Sequence, residues 1–134
     1  MTGAKDIKFD RLYTRDHEWA LSQGDEVQIG ITAFAVDQLG DITLVDVSTS
    51  TGQHLAAHQT FGTIESVKTL SDLFTPVSGM VVRVNQQLTD HPEWVNEDCW
   101  DKAWMIALRP DEPIKSSDDL LDAAKYSAHL EQAD

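Results

Sequence analysis

The chain has 134 residues, enough to bury one hydrophobic core without disulfide or metal staples and too few for a second catalytic domain. Ten lysines and arginines face 23 aspartates and glutamates, and the formal charge of −13 argues against nucleic acid and anionic membrane surfaces as partners and favours basic proteins. With 41% hydrophobic and 25% charged residues the composition is that of a soluble globular domain, and no apolar run reaches the roughly 20 residues of a membrane span. Residues 1–10 are neither apolar nor Arg-rich, so no secretory or organelle-targeting segment is expected and the expected compartment is the cytoplasm.

The first clear element is a strand over 27–32, where Val27, Ile29 and Ile31 alternate with small or polar residues. Thr32 then caps a helix of about two turns that directs Phe34 and Leu39 inward and closes at Gly40. Residues 41–47 are a second β-rich run with branched side chains on both faces, which predicts burial on both sides. Residues 61–67 and 70–77 read as the two strands of a tight hairpin around Lys68 and Thr69, although neither Asn-Gly nor Asp-Gly marks the tip. Pro76 and Gly79 punctuate its far end before a strand resumes over 80–85. Residues 90–99 predict a short helix capped by Asp90, with Pro92 in its first turn and Trp94 and Val95 facing inward; 104–108 is the last strand. Beyond Pro110 and Pro113, Ser116 or Ser117 caps a terminal helix over about 117–132, with Leu120, Leu121, Ala124, Ala128 and Leu130 as its narrow apolar stripe. Five or six short strands and three short helices make a mainly β, α+β chain: one domain over 1–134 with its core over about 13–109.

No enzyme constellation is present: the chain has no GxSxG elbow, Walker A loop, GxGxxG or HExxH. Of the five histidines only His54 and His58 stand four apart, and they fall in a loop-like stretch beside Gly52, so no metal site is expected. Cys99 has no second cysteine to pair with, and its neighbours Glu97, Asp98 and Asp101 oppose thiolate formation. It reads as a packed residue beside Trp94, Trp100 and Trp104, and the chain reads as a non-enzyme.

A lysine at a hairpin tip is ordinarily a solvated charge, but the residues around Lys68 are specific. Phe61-Gly-Thr-Ile-Glu-Ser-Val-Lys68-Thr-Leu-Ser-Asp-Leu-Phe-Thr-Pro-Val-Ser-Gly79 resembles the lipoyl-lysine hairpin of glycine cleavage system H proteins. Tyr13-Thr-Arg-Asp-His-Glu-Trp19 resembles their amino-terminal signature, and Gly30-Ile-Thr32 with Gln38-Leu-Gly-Asp41 their strand-helix-strand segment. Val95-Asn-Glu-Asp98 with Trp104, then Leu120-Leu-Asp-Ala123 with Tyr126, continue the likeness over roughly residues 13–131.

The resemblance implies a barrel-sandwich hybrid of two small antiparallel sheets with short peripheral helices and a C-terminal helix. It implies lipoic acid joined as an amide to Lys68 by a lipoate ligase or a lipoyl/octanoyl transferase, with Glu65, Ser66 and Val67 as the recognition residues. The cofactor would take the aminomethyl group of glycine from a pyridoxal-phosphate-dependent glycine decarboxylase (P protein) to a tetrahydrofolate-dependent aminomethyltransferase (T protein). A dihydrolipoyl dehydrogenase (L protein) would then reoxidise it. Glu18 and Asp72 match the family's pocket carboxylates for the cationic amine. The same fold and lysine also serve H-protein-like lipoate-binding proteins that carry sulfur intermediates or electrons beside heterodisulfide-reductase-like complexes, which is the alternative reading. The chain departs from the common pattern at Asp16, at 47–51, at His58-Gln59, where a Gly-Asp is usual, and at 99–104, which lacks the usual glycines.

Overall fold

The computed structural model describes residues 7–133. A first short strand, β1 (Leu12–Tyr13), pairs with β2 (Glu18–Gln23), which folds back on β3 (Glu26–Ile31) through a turn at Gly24, whose φ of +61° is the positive value tight hairpins need. Val27, Ile29 and Ile31 are all buried, as their alternation predicts. The Thr32 hydroxyl accepts from the Ala35 N–H and caps α1 (Ala33–Leu39), which ends at Gly40. Phe34 and Leu39 are partly buried, each against a different part of the core.

The remaining strands are β4 (Ile42–Val47), β5 (His54–Leu55), β6 (Thr60–Ser66), β7 (Leu70–Phe74), β8 (Gly79–Val84) and β9 (Ile106–Pro110). They form a six-stranded sheet in the order β1-β2-β3-β9-β8-β5 and a three-stranded sheet in the order β4-β6-β7, every pair antiparallel. This is the expected barrel-sandwich arrangement. Its main core joins the two sheets, with Val27, Ile29 and Leu108 from the first and Val45, Phe61, Ile64 and Leu73 from the second in one buried cluster.

Several expectations need correction, among them the strand predicted over 70–77, which ends at Phe74. Strand β4 is not buried on both sides: Ile42 and Val45 face the core, but a bulge between Ile42 and Leu44 turns Leu44 outward, 41% exposed. An edge strand of a sheet with one packed face has only one face to bury. The helix predicted over 90–99 is instead two single turns, α2 (Gln87–Asp90) and α3 (Trp94–Glu97). Asp90 ends the first of them, and Glu93 occupies the cap of the second without a side-chain bond; Val95 is fully buried and Trp94 partly so. The last strand begins two residues later than predicted, at Ile106.

The terminal helix α4 (Ala123–Ala133) begins well after Ser117. Ser117 accepts instead from the N–H groups of Asp119 and Leu120, forming a separate turn, and the Asp122 carboxylate accepts from the Lys125 N–H at the helix start. Its inward stripe is Ala123, Tyr126 and Leu130; Ala124 and Ala128 are exposed, and Leu120 and Leu121 precede the helix. Leu121 is tied to Tyr13 by a backbone bridge. Tyr126 stacks on Tyr13 at 4.4 Å between ring centroids, in a second cluster with Trp19 and Leu130. Trp19 is thereby brought to the other tryptophans: its Nε1 donates to the carbonyl of buried Cys99 (3.0 Å), and the Arg11 guanidinium lies over the Trp19 and Trp100 rings.

The departures from the family pattern are absorbed locally. His58 adopts a left-handed φ of +72°, the conformation that a glycine at this point takes without strain. The glycine-poor stretch 99–104 is turned by Asp98, whose carboxylate oxygens accept from the N–H groups of Asp101 and Lys102.

Candidate functional site at the hairpin tip

Lys68 is exposed at the tip of the β6–β7 hairpin. The strands pair Glu65 with Leu70, and the Ser66 N–H donates to the Thr69 carbonyl at 2.8 Å, so the two central residues are Val67 and Lys68, one place earlier than the Lys68 and Thr69 that the sequence predicts. Neither has a positive φ, so the tip is not the Asn-Gly type of turn. A side chain supplies the turn chemistry: the buried Ser66 Oγ accepts from the backbone N–H groups of Lys68 (3.1 Å) and Thr69 (3.2 Å). A second tether holds the tip from outside the hairpin, because the Val67 N–H donates to the Asp41 carbonyl at 3.0 Å. The methylene stem of Lys68 lies against Gly40, where an added Cβ would stand 3.3 Å from its Cε.

The register of the three-stranded sheet sorts the surrounding side chains. Val45, Ile64 and Ser71 form a cross-strand row toward the core. On the opposite face lie two rows, Leu44–Glu65–Leu70 next to the tip and Asp46–Thr63–Asp72 beyond it. Val67 and Leu70 are among the most exposed large apolar side chains of the described residues, at 66% and 63%. Glu65, Leu70 and Asp72 therefore share one face of the hairpin below the exposed Lys68, while Ser66 is occupied inside the turn.

Glu18 lies on β2 of the other sheet. It is 6% exposed, and its Oε1 accepts from the Thr14 hydroxyl at 2.7 Å while its backbone N–H donates back to that oxygen. Burial pushes its carboxyl up to about 7, the Thr14 bond opposing and the Asp16 charge adding to the rise. The preceding residue, His17, takes a φ of +72° and shares a hydrogen bond with the Tyr126 hydroxyl at 2.9 Å. Burial, then the neighbouring His129, hold its pKa below the usual histidine value.

Sequence reasoning located Lys68 and missed Gly40, Asp41 and Thr14 as its supports and those of Glu18. Gly40 reads only as a helix stop, and nothing in a linear pattern connects it to a lysine on another strand. Among the described residues no group of three or more His, Cys, Asp or Glu is placed to hold a metal ion, and no helix is long and apolar enough to cross a membrane.

The family model described as Glycine cleavage H-protein matches residues 11–133. The glycine cleavage system H protein of Magnetococcus marinus is 50% identical over 125 residues, covering 93% of this chain and 88% of its own. That of Geobacillus kaustophilus is 47% identical over 120 residues, covering 90% and 93%. The crystal structure of a glycine cleavage system H protein from Mycobacterium marinum superposes with a TM-score of 0.83 at 35% identity, covering 93% of this chain and 99% of that one. A lysine at the tip of a serine-clasped hairpin, two antiparallel sheets and likeness over nearly the whole length all point one way, and the chain belongs to the glycine cleavage H-protein family.

Proposed function

We propose that this chain is the lipoyl carrier of a glycine cleavage system, a single non-catalytic domain with lipoate joined as an amide to Lys68 Nζ. The observation that carries the reading is the exposed Lys68 held on a rigid turn in a chain of this family. The residues present fit such a group: the amine is reachable, its backbone is clasped by Ser66 and tethered to Asp41, and extended strands fix its direction from the core. When bound, lipoate supplies two sulfurs that alternate between disulfide and dithiol and carry the aminomethyl group derived from glycine. The relatives are named for glycine cleavage, which favours this reading over a carrier of sulfur intermediates.

Each neighbouring residue has a part in the proposal. Amide formation removes the Lys68 charge, and the attaching ligase or transferase reads the exposed Glu65 and Val67 beside it, with Ser66 setting the shape of the turn. Glu18 and Asp72 supply carboxylates toward a cationic amine. A cation arriving at the buried Glu18 stabilises its ionised form and offsets the burial that raises its pKa. The partners are the decarboxylase, the aminomethyltransferase and the dihydrolipoyl dehydrogenase of the system, and the strongly acidic chain suits basic docking surfaces on them.

The test is to lipoylate the purified protein enzymatically, confirm a single adduct at Lys68 by intact mass and peptide mapping, and follow exchange of labelled bicarbonate into the glycine carboxyl with a glycine decarboxylase. Exchange that requires Lys68 is the expected result. A fully lipoylated protein that supports no exchange overturns the assignment to glycine cleavage.

A further inference from the structure

The support under Lys68 is built from three separate parts of the chain. Helix α1 ends at Gly40 with φ +83° and ψ −151°, a backbone conformation that is essentially glycine's alone. Its bare Cα leaves room for the Lys68 stem, since an added Cβ would meet Cε at 3.3 Å and Cδ at 3.5 Å. The next residue, Asp41, accepts the Val67 N–H through its carbonyl. On this same segment the Asn96 side-chain amide makes two bonds: its Nδ2 donates to the Gly40 carbonyl at 3.0 Å, and its Oδ1 accepts from the Ile42 N–H at 2.9 Å. One planar amide thus fixes the peptide groups on either side of Asp41. Asn96 is itself placed by Val95, its fully buried neighbour on α3.

We propose that Asn96 is a positioning residue for the carrier lysine: by holding residues 40–42 as a shelf it fixes the line along which the Lys68 stem runs, and so the direction in which Nζ and anything joined to it leaves the protein. The functional half of this inference rests on Lys68 being the attachment site. The residue type follows from the two bonds. Aspartate at 96 keeps the acceptor for the Ile42 N–H but sets a charged oxygen against the Gly40 carbonyl, and alanine makes neither bond. A staple that served stability alone would change the unfolding free energy without changing the motion of the lysine.

The test uses the unmodified and the lipoylated full chain. In 13C-labelled unmodified protein, relaxation of the Lys68 δ and ε carbons, assigned by their loss in Lys68→Arg, is expected to show them more restricted than those of exposed Lys115. Asn96→Ala is expected to release them to the Lys115 level, and Asn96→Asp to release them in part. With lipoate ligase, Asn96→Ala is expected to raise the KM for the protein as acceptor about ten-fold with kcat little changed, equivalent to about 1.4 kcal/mol of lost preorganisation. Lys68 carbons equally restricted in the wild type and in a folded Asn96 variant overturn the proposal. If Asn96→Ala does not fold, Asn96→Asp carries the same decision. A wild-type protein that accepts no lipoate refutes the attachment site, whereas the relaxation comparison still decides whether Asn96 positions the lysine.

Discussion

The Ser66 hydroxyl oxygen and the Lys68 backbone nitrogen are 3.1 Å apart, the serine accepting, so the residue two places before the lysine determines how the lysine is presented. Because the same oxygen also accepts from the Thr69 N–H, Ser66→Ala leaves two backbone donors of the turn without their partner. The expected cost is about 1 kcal/mol of stability, with a larger local effect at the tip. Amide hydrogen exchange at Lys68 and Thr69 should accelerate far more than at core strand β3, and uniform protection at the tip would contradict the clasp.

Lys68→Arg is expected to fold with stability within about 0.5 kcal/mol of the wild type, since the side chain is exposed. A guanidinium does not form the amide, so intact mass after incubation with ligase and lipoate should show no adduct. An adduct on the variant would move the attachment site to another lysine.

Glu18 and His17 make opposite demands on pH. The Glu18 carboxyl is raised from its ordinary 4.5 to about 7, so the folded protein binds a proton there that the unfolded chain has released. Its contribution is therefore full below about 4.5 and is lost as pH rises toward 7, a difference of about 3 kcal/mol across that window. The lowered pKa of His17 acts in reverse: its contribution is present above the ordinary 6.5 and is lost as pH falls. Urea titrations of the wild type and Glu18→Gln at pH 5 and pH 8 isolate the first effect. The variant should gain relative to the wild type at pH 8, and an identical difference at both values would refute the raised carboxyl.

The pocket role of the two carboxylates is tested by Glu18→Gln combined with Asp72→Asn in lipoylated protein. Loss of aminomethyl cargo to water is expected to speed up about ten-fold, the worth of one charge-assisted hydrogen bond. Formaldehyde release is the readout, and unchanged release would remove both residues from that role.

Gly30→Ala probes the second cluster. Gly30 faces Trp19 across β2 and β3, and an added Cβ would stand 2.5 Å from Trp19 Cζ2, where the indole is fully buried and bonded to the Cys99 carbonyl. The expected loss is about 1–3 kcal/mol with a shift in tryptophan emission. A variant with wild-type stability and emission would show that the indole yields freely.

Elements with a regular period were legible in the residues: the Val27-Ile29-Ile31 strand, the Thr32 cap and the two runs meeting at Lys68. What the pattern misjudged depends on partners distant in sequence. Branched residues in β4 predict burial on both faces, but a bulge and a sheet packed on one face only decide that Leu44 faces out. The terminal stripe was misplaced except at Leu130 because Leu121 is apolar for a different reason, to meet β1 and the Tyr13 cluster before the helix begins. The turn without glycine carried no familiar signal, since Ser66 performs in its side chain what Asn-Gly performs in its backbone. Asn96 stood within a stretch already singled out, yet its role becomes visible only when its amide is seen to bridge Gly40 and Ile42.

The bond from the Val67 N–H to the Asp41 carbonyl separates placement from recognition. Main chain, not side chain, joins the tip to the neighbouring segment, so the identity of the exposed residue at 67 is free to change while the lysine stays where it is. The same holds for Leu70 and Leu44, which face solvent from strands whose opposite faces hold the fold. The exposed surface around the lysine is thus open to rewriting, residue by residue, on a scaffold that does not register the edits.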